Sequence, residues 1–172
     1  MSMRGPVVLA CAILVFIAAP LAKATDLSPS EQIPADEKVE AQVAADDFSA
    51  GRLDAAAAIY VTMTQDHPDC LYAWRNLGIT RYQQGKLNEA HDALLNALAL
   101  DSKDAFVRSA LGITEYDLKQ YNDARDNLEA AVILAPGDAH AHQFLGQTYD
   151  KLGLSQKAGI EFDKAQALEE KK

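Results

Sequence analysis

The sequence is poor in cysteine and in basic residues. Only two cysteines occur among 172 residues, Cys11 and Cys70, so a disulfide-held scaffold is excluded. Lys and Arg together number 16 and are outnumbered by 25 Asp and Glu, which gives a formal net charge of -9. Nucleic-acid affinity depends on clustered basic residues that displace counterions from phosphates. The composition therefore argues against a nucleic-acid partner.

Long hydrophobic runs are also scarce, and the one at the N-terminus is short. Residues 7–19 are apolar, Arg4 precedes them, no acidic residue occurs in 1–24, and a small-x-small sequence (Ala-Lys-Ala) occupies 22–24. This pattern predicts a signal peptide over 1–24, cleaved after Ala24, and export to the periplasm or envelope. The alternative is an uncleaved N-terminal anchor, but spanning a bilayer takes about 20 apolar residues. We expect no membrane span after cleavage and a short spacer over 25–36, where Pro29 and Pro34 oppose a helix.

A period of 34 residues runs through the chain beyond residue 36. The Leu-Gly pair at 77–78 recurs at 111–112 and at 145–146, and alanine recurs at 56, 90, 124 and 158. Self-similarity at one fixed period is the signature of a repeat architecture. The period divides the domain at 37–172 into four units: 37–70, 71–104, 105–138 and 139–172.

Each unit is predicted to be a pair of antiparallel helices. Within a unit, apolar residues recur at three and four positions, which is the spacing of one helical face. The glycine of each Leu-Gly pair is expected to let the two helices cross closely. Turns are expected at Gly51, Gly85 and Gly153, with Lys119 in the same register, and Asp69, Asp104 and Asp138 are candidate N-caps. Since no pair buries its apolar face alone, the units should stack into a solenoid, closed by a polar C-terminal end.

These residues resemble the tetratricopeptide repeat, whose pattern is Trp-x2-Leu-Gly-x2-Tyr, then Ala-x3-Phe, then Ala and Pro. Trp74, Leu77 and Gly78 match the first half of the pattern, and Pro68 and Pro136 match its closing proline. The resemblance covers the four units and implies an all-α fold, a right-handed solenoid with a concave and a convex side. The chain departs from the pattern at Glu40, Arg81 and Glu115.

The resemblance further implies that the first helix of each unit lines the concave groove. Aromatic residues and isoleucines converge there, with polar residues at the edges, as expected of a surface that anchors a partner segment. The candidate groove residues are Tyr72, Arg75, Ile79, Tyr82, Phe106, Ser109, Ile113, Tyr116, His140 and Gln143. For Tyr82 and Tyr116 a structural role, packing against neighbouring helices, is favoured over a role in binding. Some relatives bind carboxylate tails through a clamp of Lys, Asn and Arg, and no such clamp is expected here because Ile79, Ala110, His140 and Phe144 occupy its positions.

The sequence predicts neither catalysis nor a cofactor or metal site. His140 and His142 are two residues apart, which places them on different sides of a helix, and solvated surface positions are expected for all four histidines. No phosphate loop or nucleophile motif occurs. Cys70 is expected to be a partly buried, inert thiol, with a reactive thiol as the alternative.

Two functional hypotheses remain. The first is a non-enzymatic adaptor that holds a protein or peptide partner in the concave groove. The second is a structural subunit of a larger envelope assembly, which associates with itself or docks through its convex or end surfaces.

Overall fold

The computed structural model describes residues 33–170, in which it has helices and no strand. The predicted signal peptide and most of the predicted spacer lie outside the described residues. None of the helices in 33–170 is long and apolar enough to cross a membrane. The helices are α1 Lys38–Ser49, α2 Leu53–Asp66, α3 Leu71–Gln83, α4 Leu87–Leu100, α5 Ala105–Asp117, α6 Tyr121–Leu134, α7 Ala139–Lys151 and α8 Ser155–Glu169.

The helices form four successive hairpins. Each odd-numbered helix packs against the helix that follows it, and α2, α4 and α6 each pack against the first helix of the next hairpin. Helix α5 also touches both α3 and α7, so the odd-numbered helices form an inner layer. The predicted all-α solenoid is confirmed.

The core is shared between neighbouring hairpins. Leu71, Leu94, Ala97, Val107 and Leu111 form one buried cluster that joins α3 and α4 to α5. Similar clusters join the first hairpin to the second and the third to the fourth. Because each hairpin buries its apolar face only against a neighbour, stacking provides the hydrophobic stabilisation of the fold.

The turn inside each hairpin has the same geometry in all four cases. In the second hairpin, the backbone N–H of Gly85 donates to the carbonyl of Tyr82 at 2.9 Å and that of Lys86 donates to Arg81 at 2.9 Å. This pair of backbone hydrogen bonds is the Schellman motif, which requires one residue with a left-handed backbone. Gly85 has a φ of 74°, and Lys119 takes the equivalent place in the third hairpin with a φ of 64°. The predicted turn positions are confirmed.

The helices of a hairpin cross at the predicted glycines. A Cβ added to Gly112 would lie 2.6 Å from Cγ of Leu128 and 3.1 Å from the carbonyl oxygen of Ala124. Ordinary carbon contacts are about 3.5–4.0 Å, so this approach leaves no room for a side chain. Gly78 meets Leu94, and Gly146 meets Phe162, in the same way.

Two of the three predicted N-caps are confirmed. The Asp104 carboxylate accepts from the backbone N–H of Val107 at 2.9 Å, and Asp138 caps α7 in the same manner. The third prediction was wrong, because Cys70 rather than Asp69 takes the N-cap position of α3, and its side chain makes no capping bond.

The expectation that all four histidines are solvated was wrong for His142. Its side chain is buried, with Nδ1 2.6 Å from Oε2 of Glu161 and Nε2 3.2 Å from the carbonyl oxygen of Pro136. Trp74 and Arg108 hold the same register and donate to carbonyls six residues earlier, those of Pro68 and Ser102, at 2.8 Å. The His142 side chain is therefore hydrogen-bonded to a carbonyl of the inter-unit loop, as the Trp74 side chain is.

Candidate partner-binding groove

The inner layer contains an apolar cavity of about 360 Å³ at the centre of the solenoid, a size within the range of ligand pockets. It lies between α3, α5 and the start of α7, and we call it the central cavity. Its lining residues are Ile79, Tyr82, Leu94, Ala105, Phe106, Ser109, Ala110, Ile113, Thr114, Ala135, Gly137, Asp138 and His140. Six of the ten predicted groove residues are among them.

Small side chains on α5 create the cavity. Ala105, Ser109 and Ala110 line it from successive turns of this helix. At the register of Ala105 the preceding unit carries Leu71, whereas the following unit also has an alanine, and at the register of Ala110 the neighbouring units carry Asn76 and Phe144. Since α5 is the middle helix of the inner layer, shortening its side chains opens space between α3 and α7.

Apolar residues form the floor and one wall of the central cavity. Ile79 and Ile113 are buried and belong to the core clusters, so they support the floor. Phe106 is partly exposed, with 36% of its surface accessible, and is the apolar side chain best placed to meet a partner. The guanidinium carbon of Arg75 lies 5.8 Å from the centre of the Phe106 ring, within cation–π range.

Polar groups surround this apolar centre. Nη1 of Arg75 lies 3.4 Å from Oδ2 of Asp104, and the hydroxyl of Tyr82 donates to Oδ2 of Asp117 at 2.6 Å. Burial, followed by the nearby Asp117 carboxylate, raises the pKa of Tyr82, so its hydroxyl stays protonated and able to donate. Asp138 accepts from the backbone N–H of His140 at 3.0 Å. Arg75, Tyr82 and Asp138, which lie in or beside the cavity, therefore already have hydrogen-bond partners within the protein.

The four remaining predicted residues lie outside the cavity lining. Tyr72 packs edge-on against Tyr60 at 6.2 Å between ring centres, and Arg75 reaches only the Phe106 side of the rim. Tyr116 packs edge-on against Phe144 at 5.8 Å, which is a contact between neighbouring units. Gln143 is half-buried on α7.

Sequence reasoning missed part of the lining because it considered only the first helix of each unit. Leu94 comes from α4, and Ala135, Gly137 and Asp138 come from the loop between α6 and α7. The small residues at 105, 109 and 110 on α5 could have indicated the position of the cavity.

Other chemical groups are buried without forming a site. Within residues 33–170 no group of three or more His, Cys, Asp and Glu side chains has the arrangement of a metal site. Cys70 is a buried free thiol, and burial raises its pKa, which keeps it protonated and weakly nucleophilic. Glu115 is buried between units, where both of its oxygens accept from Asn127 and one lies 3.6 Å from His91.

Comparisons with known proteins agree with this architecture. Two family models, both described as tetratricopeptide repeat, match residues 47–112 and 109–170. No curated protein sequence matches the chain. Among solved structures, a crystal structure of MamA is 24% identical, with 77% of each chain covered and a TM-score of 0.72. MamA from Desulfovibrio magneticus RS-1 is 20% identical, with 77% of this chain and 75% of that chain covered and a TM-score of 0.71.

The structural likeness shows a common fold, and the family models identify the repeats themselves. Tetratricopeptide repeats are typically non-enzymatic modules that bind proteins, so the chain is a protein-interaction scaffold. The two models together span residues 47–170, which include seven of the eight helices described within 33–170. The chain belongs to the tetratricopeptide repeat family.

Proposed function

We propose that the chain is an adaptor that binds a segment of a partner protein in the groove of its inner layer, with an apolar or aromatic side chain of the partner inserted into the central cavity. The observation that carries this proposal is the cavity itself, an apolar space of about 360 Å³ with the partly exposed Phe106 on its wall. Buried apolar anchors within a polar rim provide most of the binding energy in protein interfaces.

The polar rim supports an anchored segment rather than a free apolar molecule. Backbone amides and polar side chains of a bound segment would meet Arg75, Asp117 and His140 around the cavity. The rim also adds selectivity, since a polar group buried there without a partner would cost about 1–3 kcal/mol.

The test fills the cavity without adding charge. Ala110→Phe copies the residue that the following unit carries at this register, Phe144, and should occupy the space intended for the anchor. Peptides selected from a random display library on the wild-type protein should share an apolar or aromatic residue. They should bind the variant at least about 30-fold more weakly, which corresponds to the loss of a hot-spot contact of about 2 kcal/mol.

The matched control is Ile133→Ser on α6, where 78% of the residue surface is exposed away from the cavity lining. This variant should bind the selected peptides like the wild type. Equal peptide affinity for Ala110→Phe and wild type, with unchanged helical circular dichroism, would rule out the cavity as the anchor site.

Export is the second part of the proposal and rests on residues 1–24 alone. The basic start, the apolar run and the small-x-small sequence support cleavage after Ala24. Fractionation of a bacterial host followed by N-terminal sequencing should find the chain in the periplasm, beginning at Thr25. Recovery of uncleaved chain in the membrane fraction would favour the anchor instead.

A further inference from the structure

The first helix exposes apolar residues at positions that are buried in every other unit. In α1, Val39 is 72% exposed and Val43 is 45% exposed. Their counterparts one, two and three periods later are at most 7% exposed: Ala73, Val107 and Ala141 for the first, and Leu77, Leu111 and Leu145 for the second. We call Val39 and Val43 the N-terminal face.

The last helix shows the same difference on the opposite end. Phe162 in α8 is 40% exposed, whereas its counterparts Tyr60, Leu94 and Leu128 are at most 2% exposed. The C-terminal end is polar at Gln166, which is exposed at the register of Leu98 as expected from the sequence, but Phe162 adds an exposed apolar residue to it. We call Phe162 and Gln166 the C-terminal face.

The interior of the chain shows how these two faces fit together. Leu94 and Leu98 of α4 pack with Val107 and Leu111 of α5 in one cluster. In the repeat, Phe162 and Gln166 hold the positions of Leu94 and Leu98. Val39 and Val43 hold the positions of Val107 and Leu111. The C-terminal face of one chain and the N-terminal face of another thus carry the two halves of an interface that already joins neighbouring units.

We propose that a second copy of this chain stacks head to tail on the first, with α8 of one copy against α1 of the next, so that the solenoid continues across the joint. This goes beyond the binding of a partner in the groove and uses none of the residues of the central cavity. However many copies join, one N-terminal face and one C-terminal face stay free at the two ends of the assembly. Such a heterologous contact forms open chains of copies rather than a closed dimer.

Polar residues, Asp46 and Gln166 among them, distinguish the joint from an internal interface. Asp46 takes the place of Thr80, Thr114 and Thr148, which are at most 1% exposed. Gln166 takes the place of Leu98. Because stacking would bury a carboxylate and an amide, both residues weaken the joint and keep it reversible.

The test blocks each face separately and then mixes the blocked chains. Val43→Glu places a charge on the N-terminal face, and Phe162→Glu places one on the C-terminal face. In sedimentation velocity, the wild type should grow in mean size as its concentration rises to about 1 mM, whereas each variant alone should sediment as a monomer. An equimolar mixture of the two variants should form a dimer and nothing larger, because each retains one intact and complementary face.

Several outcomes would overturn the proposal. A wild type that stays monomeric over this concentration range would do so, and so would a mixture of the two variants that stays monomeric while both are folded. Ile133→Glu, a charge introduced on α6 away from both faces, should leave the assembly unchanged, and equal loss of assembly there would also contradict the joint. Since Phe162 packs on Gly146, Gln166→Glu provides a second block of the C-terminal face that leaves this contact intact.

The internal interface also predicts variants that strengthen the joint. Gln166→Leu restores the apolar residue of Leu98 and should tighten association by at least about tenfold. Asp46→Thr restores the residue of the other units and should act in the same direction. Ala110→Phe should leave sedimentation unchanged, so the outcome for the joint is independent of the outcome for the groove.

Discussion

The crossing of α5 and α6 at Gly112 offers a direct test of the packing. In Gly112→Ala, the new methyl group would lie 2.6 Å from Cγ of Leu128 and 3.1 Å from the carbonyl oxygen of Ala124. Gly159→Ala is the matched control, because Gly159 also lies inside a helix and an added Cβ there meets nothing within 4 Å. The two substitutions therefore share their effect on helix propensity and differ in the space available.

The magnitude follows from two opposing effects. Alanine is favoured over glycine inside a helix by about 1 kcal/mol, so Gly159→Ala should stabilise the protein by roughly that amount. At Gly112 the same gain is opposed by overpacking, which costs about 1–3 kcal/mol in a well-packed core. We expect Gly112→Ala to be less stable than Gly159→Ala by about 1–3 kcal/mol.

Urea unfolding followed by helical circular dichroism measures this difference, provided that the slopes of the transitions agree. A double variant, Gly112→Ala with Leu128→Ala, identifies the neighbour: the second substitution should cost less in the Gly112→Ala background than the roughly 2–5 kcal/mol expected in the wild type. Equal stability of Gly112→Ala and Gly159→Ala would refute the close crossing, and strictly additive effects would refute Leu128 as the obstructing side chain.

Three further predictions concern single residues. Lys119→Gly should stabilise the protein by up to about 1.5 kcal/mol, because the left-handed backbone costs a residue with a Cβ about 1–2 kcal/mol, of which the greater freedom of glycine in the unfolded chain offsets about 0.5–1. Gly85→Ala should lower the urea midpoint for the same reason. Burial raises the pKa of Glu115, so folding takes up a proton, and the free energy of unfolding falls as pH rises above the ordinary carboxyl range. Glu115→Gln should remove this pH dependence from the urea midpoints. Burial would raise the pKa of Glu161, but hydrogen bonds from Lys164 and His142 lower it, so stability is lost as pH falls below the ordinary carboxyl range. Glu161→Gln should therefore reduce the fall of the urea midpoint at acid pH.

Part of the groove could be predicted because helical spacing tells which residues share a face. Ile79, Phe106 and Ile113 follow from their registers within α3 and α5, and all three line the central cavity. The contribution of Gly137 could not be predicted in this way, since the inter-unit loop reaches the cavity only through the packing of α6 against α7. The burial of His142 was missed for a related reason, because its partner Glu161 is 19 residues away on the opposite helix of the hairpin.

The sequence alone determined the period, the helix pairs, the turns and two of the caps. These features depend on short-range physics: a left-handed residue at Gly85, a capping carboxylate at Asp104, and apolar residues three and four positions apart. Only the tertiary structure decided where space remains and which apolar residues stay uncovered. Leu94 and Phe162 hold the same register and both pack on the first helix of their own hairpin, yet α5 covers the outer side of Leu94, and no helix among residues 33–170 does so for Phe162. Burial depends on what stacks against a unit, and a period of 34 residues does not tell whether a unit is covered on both sides.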